Sequence, residues 1–203
     1  YRLTDTLNVD VNRQNAKAYC MLKEYKTSVN RYEALKAMGD RSFTTLYYLG
    51  VSQYADNWPY GARDNLLEAH KKNPMDVNVL YSLAKACARS SWKEEGIAYM
   101  NKAFDMVVPT DSMMIRLYDG LLECYKFHTK ADPYEKIEVM KEAYSYTKKY
   151  TLFYQIAEIY DYQKDYVNAV HYYEKYMALV PKHKQAALDS EGNPLPNADT
   201  MYQ

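Results

Sequence analysis

Residues 46–69 read LYYLGVSQYADNWPYGARDNLLEA, and residues 80–103 read LYSLAKACARSSWKEEGIAYMNKA. Aligned thirty-four positions apart, the two stretches place large apolar residues over large ones and small residues over small ones. The aligned pairs are Leu46 with Leu80, Leu49 with Leu83, Gly50 with Ala84, Ala62 with Gly96, Leu66 with Met100, and Ala69 with Ala103. A period of this length is typical of a repeat built from one supersecondary unit.

The same spacing continues further along the chain. A second shift carries Leu80, Leu83, Ala84 and Cys87 onto Met114, Leu117, Tyr118 and Leu121. Small residues in both halves of each unit allow two helices to cross closely, while the large residues between them fill the gap. We therefore predict an all-α fold of antiparallel helix hairpins that stack side by side, because one hairpin alone cannot bury both of its faces.

This pattern resembles the tetratricopeptide repeat (TPR), whose first helix carries apolar–x–x–Leu–Gly/Ala–x–x–Tyr and whose second helix carries Ala, a large residue and Ala before a Pro. The best match consists of Leu46, Leu49, Gly50, Ala62, Leu66, Ala69 and Pro74. A second match consists of Phe153, Ile156, Ala157, Tyr160, Tyr166, Ala169, Tyr173 and Pro181. The resemblance covers about four and a half repeats over residues 9–183 and implies a right-handed α-solenoid.

We expect a single TPR-like domain over residues 1–203. The predicted repeats lie at about 9–42, 43–76, 77–110, 111–149 and 150–183, with a C-terminal extension at 184–203. The first half of the first repeat is polar, with Asn12 and Asn15 where large apolar residues are expected. The unit at 111–149 is five residues longer than its neighbours, which predicts a longer first helix or an irregular turn near 127–131.

Capping residues support this division into helices. Asp76 and Asp111 precede apolar periodic runs and are predicted N-caps. Ser91 and Glu94 have the spacing of a capping box. Pro133 is expected in a first helical turn, where proline is tolerated.

The composition argues against several functional classes. The 26 basic and 26 acidic residues cancel, so no charge excess indicates nucleic acid. The sequence contains no apolar run of eighteen residues, so it predicts no membrane-spanning segment. The three cysteines, Cys20, Cys87 and Cys124, are too widely spaced for a disulfide framework and are expected as buried free thiols. Motifs for nucleotide, zinc or serine-nucleophile chemistry are missing, so we predict no catalytic residue, no metal, no cofactor and no enzymatic activity.

Tyrosine is the unusual component, with 24 Tyr against 4 Phe and 2 Trp. Tyrosine buries a large ring while its hydroxyl reaches water or a partner. We expect most of these residues to pack between helices and a minority to line a binding face.

In the family that the repeats resemble, the first helix of each pair lines a concave face that binds peptides. Transferred to this sequence, the resemblance implies the ligand residues Tyr47, Val51, Tyr54, Asn78, Tyr81, Lys85, Arg89, Tyr154 and Glu158. Further positions of the same faces are Ile115, Asp119, Leu122 and Asp161. The surface is expected to be aromatic at its N-terminal side, basic in the middle and acidic towards the end. The family's Lys/Asn clamp for a terminal carboxylate is poorly reproduced, which disfavours that ligand.

The resemblance implies a protein–protein interaction scaffold or adaptor that binds a peptide or protein. The alternative is a structural repeat module of a larger exported protein that self-associates without a separate ligand. The sequence names no partner and leaves homo-oligomerisation open. Its frequent Tyr, Asn and Lys, and a first residue other than Met, are similar in style to envelope-associated repeat proteins of anaerobic gut bacteria. That similarity favours the bacterial periplasm or cell envelope over the cytoplasm.

Overall fold

A computed structural model describes residues 8–180 of the chain, and within that range it contains ten α-helices and no β-strand. The helices are α1 (Val9–Met21), α2 (Tyr25–Ala37), α3 (Phe43–Ala55), α4 (Pro59–Lys72), α5 (Val77–Ala88), α6 (Lys93–Asp105), α7 (Asp111–Phe127), α8 (Pro133–Thr147), α9 (Thr151–Tyr162) and α10 (Tyr166–Leu179). The prediction of an all-α fold is confirmed.

The chain falls into two compact units, with the boundary between Ala131 and Asp132. The first unit contains α1 to α7, and the second contains α8 to α10. The prediction of one domain with five repeats over residues 1–203 stays a prediction. Pro181 and the extension at 184–203 lie outside the described residues.

In the first unit, each helix packs on its neighbours in chain order. Hairpin partners are α1 with α2, α3 with α4, and α5 with α6. The first helices of successive hairpins also touch, because α3 contacts α1 and α5, and α5 contacts α7. This nearest-neighbour stacking lines α3, α5 and α7 up along one face of the unit.

Small residues make the helix crossings in the first unit close. A methyl group added at Gly50 would lie 2.5 Å from Leu66 Cγ and 3.1 Å from the Ala62 carbonyl oxygen. A methyl group added at Gly96 would lie 2.8 Å from the Ala84 carbonyl oxygen. Ala62 and Ala84 are themselves fully buried. The predicted close crossing at these small residues is therefore confirmed.

Asp40 lies before α3 and ties the first hairpin to the second. Arg13 of α1 donates to Asp40 Oδ2 from Nε at 3.1 Å and from Nη2 at 3.0 Å. Thr45 Oγ1 donates to the same oxygen at 2.6 Å, and the Ser42 amide donates to Oδ1 at 3.0 Å. Burial alone would raise the pKa of Asp40, but these hydrogen bonds outweigh it and hold the pKa at about 2. This network, together with buried Ala16, explains how the polar segment 9–21 forms a docked helix.

The long repeat predicted at 111–149 has both a longer first helix and an irregular turn. Helix α7 runs seventeen residues to Phe127, and an irregular turn follows it. Helix α8 then begins at Pro133, where Asp132 accepts a hydrogen bond from the Tyr134 amide at 2.8 Å. It ends at Thr147, and the left-handed φ of 52° at the C-cap Lys148 stops the helix without a proline.

Two predicted caps are wrong by one residue. The N-cap of α7 is Thr110, whose hydroxyl accepts from the Met113 amide at 3.3 Å, and Asp111 is the first helical residue. The predicted capping box at Ser91 does not form, because the N-cap of α6 is Trp92. The predicted cap Asp76 is confirmed at α5.

The last described hairpin departs from the expected pattern on α10. Tyr166, the first residue of the helix, is 61% exposed and does not join the core. Tyr172 rather than Tyr173 fills the core, because its ring stacks on Tyr160 at 5.6 Å and lies 6.0 Å from Phe153.

The three cysteines are buried free thiols, as expected. Burial raises the pKa of Cys87 to about 11 and that of Cys124 to about 12. Cys87 and Cys124 are therefore protonated packing groups at neutral pH.

Candidate binding surfaces

Three helices of the first unit bring aromatic and charged side chains to one carboxylate. We call this group the Glu123 cluster; it comprises Tyr54 of α3, Lys85 of α5, Arg89 at the C-cap of α5 and Glu123 of α7. Lys85 Nζ lies 3.0 Å from Glu123 Oε2, and Arg89 Nε donates to Oε1 at 2.9 Å. The Tyr54 hydroxyl donates to the same Oε1. A single carboxylate therefore links α3, α5 and α7.

Both cations of the Glu123 cluster also lie against the Tyr54 ring. Lys85 Nζ is 5.1 Å from the ring centroid, and the Arg89 guanidinium carbon is 4.6 Å from it. A cation over the face of an aromatic ring is attracted by the ring quadrupole. The chain's own side chains thus supply Tyr54 with both a hydrogen-bond acceptor and cations.

The ionisation of the Glu123 cluster follows from these contacts. Burial alone would raise the pKa of Glu123, but the hydrogen bonds from Tyr54 and Lys85 and the charges of Lys85 and Arg89 outweigh it. The pKa of Glu123 therefore lies below its ordinary value. Burial and the bond to Glu123 raise the pKa of Tyr54. At neutral pH the cluster holds an ionised carboxylate and a neutral phenol.

Asn78 and Tyr81 lie beside the Glu123 cluster and are held by Arg116 of α7. The Arg116 guanidinium carbon is 4.4 Å from the Tyr81 ring centroid, and its Nη1 donates to Asn78 Oδ1 at 2.9 Å. The Tyr81 ring also lies against α7 at Gly120, where an added methyl group would be 2.6 Å from Tyr81 Cε2. A residue without a side chain is needed there for this ring position.

Tyr47 and Val51, also predicted as ligand residues, pack mainly against the core. Tyr47 stacks on Phe43 with 6.0 Å between ring centroids and is half-buried. Val51 is half-buried against the apolar cluster that contains Leu66 and Leu83. These two residues therefore pack beneath the face, against the apolar core, and do not belong to the Glu123 cluster.

The second unit places the remaining predicted residues on a separate surface. We call it the Tyr154 face; it comprises Tyr154, Glu158 and Asp161 of α9 with Tyr173 and Tyr176 of α10. The Tyr154 ring lies 5.8 Å from that of Tyr173 and 5.3 Å from that of Tyr176, and Tyr154 is 42% exposed. The charge of Glu158 and a hydrogen bond to it raise the pKa of Tyr154. The face is therefore aromatic, acidic and open to solvent.

Solved structures match this chain over most of its length. A crystal structure of MamA matches with a TM-score of 0.69 and 15% identity, covering 84% of this chain and 90% of that one. MamA 41-end from Desulfovibrio magneticus RS-1 matches with a TM-score of 0.68 and 12% identity, covering 84% and 94%. YrrB, described as a TPR protein with an unusual peptide-binding site, matches with a TM-score of 0.67 and 13% identity, covering 87% and 88%.

The chain has a TPR-like fold. At these identities the likeness establishes the fold alone. No protein-family model matches the sequence, and no curated protein does.

The residues missed on the first TPR-like unit are Glu123 and Arg116. Leu122, one position before Glu123, is the residue of α7 that was predicted on this face. The repeat carries the signal that would have found it, because Glu123 lies thirty-four residues after Arg89. Arg116 lies seven residues before Glu123 and shares its side of α7. The middle of the face, which was expected to be basic, therefore also contains a carboxylate, Glu123, that pairs with Lys85 and Arg89.

The described part of the TPR-like chain lacks two further features. Among residues 8–180, no group of three or more His, Cys, Asp or Glu side chains is arranged to hold a metal ion. Across the same range, no helix combines the length and apolar character that crossing a bilayer would require.

Proposed function

We propose that this chain is a protein-interaction module that binds an extended segment of a partner protein along the first-helix face of its first unit. The face runs along α3, α5 and α7 and is centred on the Glu123 cluster and Tyr81. Tyrosine and arginine are the residues that most often act as anchors in protein interfaces.

One observation carries the proposal: aromatic and arginine side chains from different hairpins are held in fixed positions and still reach solvent. The Arg89 side chain is 35% exposed and the Lys85 side chain is 22% exposed, although both are bound to Glu123. Binding costs less when the contacting side chains are already ordered. Such an arrangement favours recognition of a partner over a purely structural role.

The charge of this face indicates the kind of segment it accepts. Lys85, Arg89 and Arg116 carry three positive charges along α5 and α7. Glu123 and Asp119 supply two negative charges on α7. The balance is positive, so we propose that the bound segment carries acidic side chains.

Two other functions are less well supported. The matched structures are TPR proteins, a class of scaffold, so we propose that the chain acts without catalysis. Self-association without a separate ligand is not favoured either, because YrrB, one of the matched structures, is described as having a peptide-binding site.

A peptide-display selection on the full chain tests the proposal. Recovered peptides are expected to be rich in Asp and Glu and to bind the Tyr81→Ala/Arg89→Ala variant about tenfold more weakly than the parent chain. The control is Tyr60→Ala/Arg41→Ala, which removes the same residue types from other parts of the unit; Tyr60 is 50% exposed. Circular dichroism of both variants checks that they fold.

Equal binding by the parent chain and the Tyr81→Ala/Arg89→Ala variant would reject this face as the binding site. Recovery of peptides without acidic residues would reject the proposed charge preference.

A further inference from the structure

The Glu123 cluster contains an arrangement of groups that recurs, incompletely, on the Tyr154 face. In the first unit, tyrosine rings and a carboxylate surround two cations: Lys85 lies 5.1 Å from the Tyr54 ring centroid and 5.3 Å from that of Tyr81. Its ammonium is also 3.0 Å from the Glu123 carboxylate. This unit therefore shows that such an arrangement of rings and a carboxylate holds a cationic side chain.

The Tyr154 face has the rings and the carboxylates of that arrangement. The ring centroid of Tyr154 lies 5.8 Å from that of Tyr173 and 5.3 Å from that of Tyr176. Glu158 is one helical turn after Tyr154, and Asp161 follows within another turn. Both carboxylate residues are exposed.

Among the described residues, the Tyr154 face differs from the Glu123 cluster in that its carboxylates lack a cation. Within residues 8–180, neither Glu158 nor Asp161 forms an ion pair. Lysines of the second unit lie over other rings instead: Lys175 is 4.9 Å from the centroid of Tyr172, and Lys148 is 5.8 Å from that of Tyr144. Within the described range, the two carboxylates of this face are therefore not paired with a cation of the chain itself.

We infer that the Tyr154 face binds a basic segment of a partner protein, with a lysine or arginine side chain placed against the Tyr154 ring and paired with Glu158 and Asp161. The inference rests on the proposed function in one respect, that the chain binds protein segments. It adds a second surface with the opposite charge preference. The attraction combines two effects, because the rings draw the cation to their faces and the carboxylates pair with it.

Peptide titration of the full chain tests this inference. The probe is a glycine–serine peptide with two arginines, and its matched control carries citrulline, which has nearly the same shape without the charge. Isothermal titration calorimetry at low salt is expected to give at least about fivefold tighter binding of the arginine peptide. Added salt is expected to weaken that binding.

Variants locate the binding on the Tyr154 face. Glu158→Gln/Asp161→Asn and Tyr154→Ala are each expected to weaken binding of the arginine peptide about threefold or more. Glu174→Gln/Asp105→Asn removes the same net charge from exposed positions elsewhere and is expected to leave binding unchanged.

The control for the ring is Tyr166→Ala, which removes a tyrosine that is 61% exposed at the start of α10. Equal binding of the arginine and citrulline peptides would overturn the inference. An equal loss in the control variants would also overturn it, because non-specific charge or aromatic contacts would then explain the binding.

The outcome is separate from that of the proposed function. Tyr81→Ala/Arg89→Ala is expected to weaken acidic peptides and to leave the arginine peptide unaffected. If the display selection finds no peptide for the first unit, the arginine titration still supports or rejects the Tyr154 face by itself.

Discussion

The Glu123 cluster and the Tyr154 face are built from the same groups and differ in where the cation comes from. In the first, Lys85 and Arg89 of the chain itself occupy the space between ring and carboxylate. In the second, within the described residues, Glu158 and Asp161 have no cationic partner. The first unit therefore contains its own cations, and we infer that the second takes a cation from a partner. Substitutions of the carboxylate or its tyrosine should accordingly cost more stability in the first unit than at the matching positions of the second.

The largest expected effect is that of Glu123→Gln. This change leaves Lys85 and Arg89 half-buried without an anion, so we expect the free energy of unfolding to fall by about 2 kcal/mol. The matched change Glu158→Gln is expected to alter it by less than about 0.5 kcal/mol, because that carboxylate is exposed. Urea denaturation followed by circular dichroism measures both. Equal losses of unfolding free energy would show that the two carboxylates stabilise the fold equally, which would contradict this account.

A smaller effect is expected from removing one hydroxyl. Tyr54→Phe keeps the ring under Lys85 and Arg89 but removes the hydrogen bond to Glu123, so we expect a loss of about 1 kcal/mol. Tyr154→Phe removes a hydroxyl from an exposed position and is expected to cost only a few tenths of a kcal/mol. The same urea series gives both values. A larger loss for Tyr154→Phe would contradict the assignment of the Glu123 cluster as the stabilising one.

The pH dependence of stability gives the smallest of these effects and concerns Glu123 alone. Its pKa is lowered in the folded state, so its contribution is present above its ordinary value of 4.5 and is lost as the pH falls through the folded value. The difference in stability between the parent chain and Glu123→Gln is therefore expected to be full at pH 7 and to shrink below pH 4.5. A difference that grows on acidification would show that the pKa of Glu123 is raised instead.

The fold was predictable because side-chain size recurs with a fixed period along the chain. Gly50 and Gly96 mark the places where helix backbones meet, and both lie in close contact with the neighbouring helix. Those contacts depend on local sequence and on one repeat length, which can be read from a single sequence. Helix ends are harder to predict from the sequence. Thr110 and Asp111 are both good capping residues, and only the backbone path selects between them.

The candidate sites were predictable only in part. The side chains of Tyr54, Lys85 and Arg89, which were predicted on one face, do lie together, but the carboxylate that joins them, Glu123, is one position after the predicted Leu122. A helix has no whole number of residues per turn, so position along the sequence does not fix which of two adjacent residues turns inwards. On α10 the same ambiguity exchanged Tyr172 and Tyr173. Pairing between Arg89 and Glu123 depends on how α5 and α7 stack, which sequence spacing only suggests.

The most direct test of the account is a crossed titration of one acidic and one arginine peptide against two variants of the full chain. We predict that Tyr81→Ala/Arg89→Ala weakens only the acidic peptide and that Glu158→Gln/Asp161→Asn weakens only the arginine peptide. The two peptides are also predicted not to compete for the parent chain. Competition between the peptides, or one variant weakening both equally, would contradict the claim that the two units present separate surfaces of opposite charge preference.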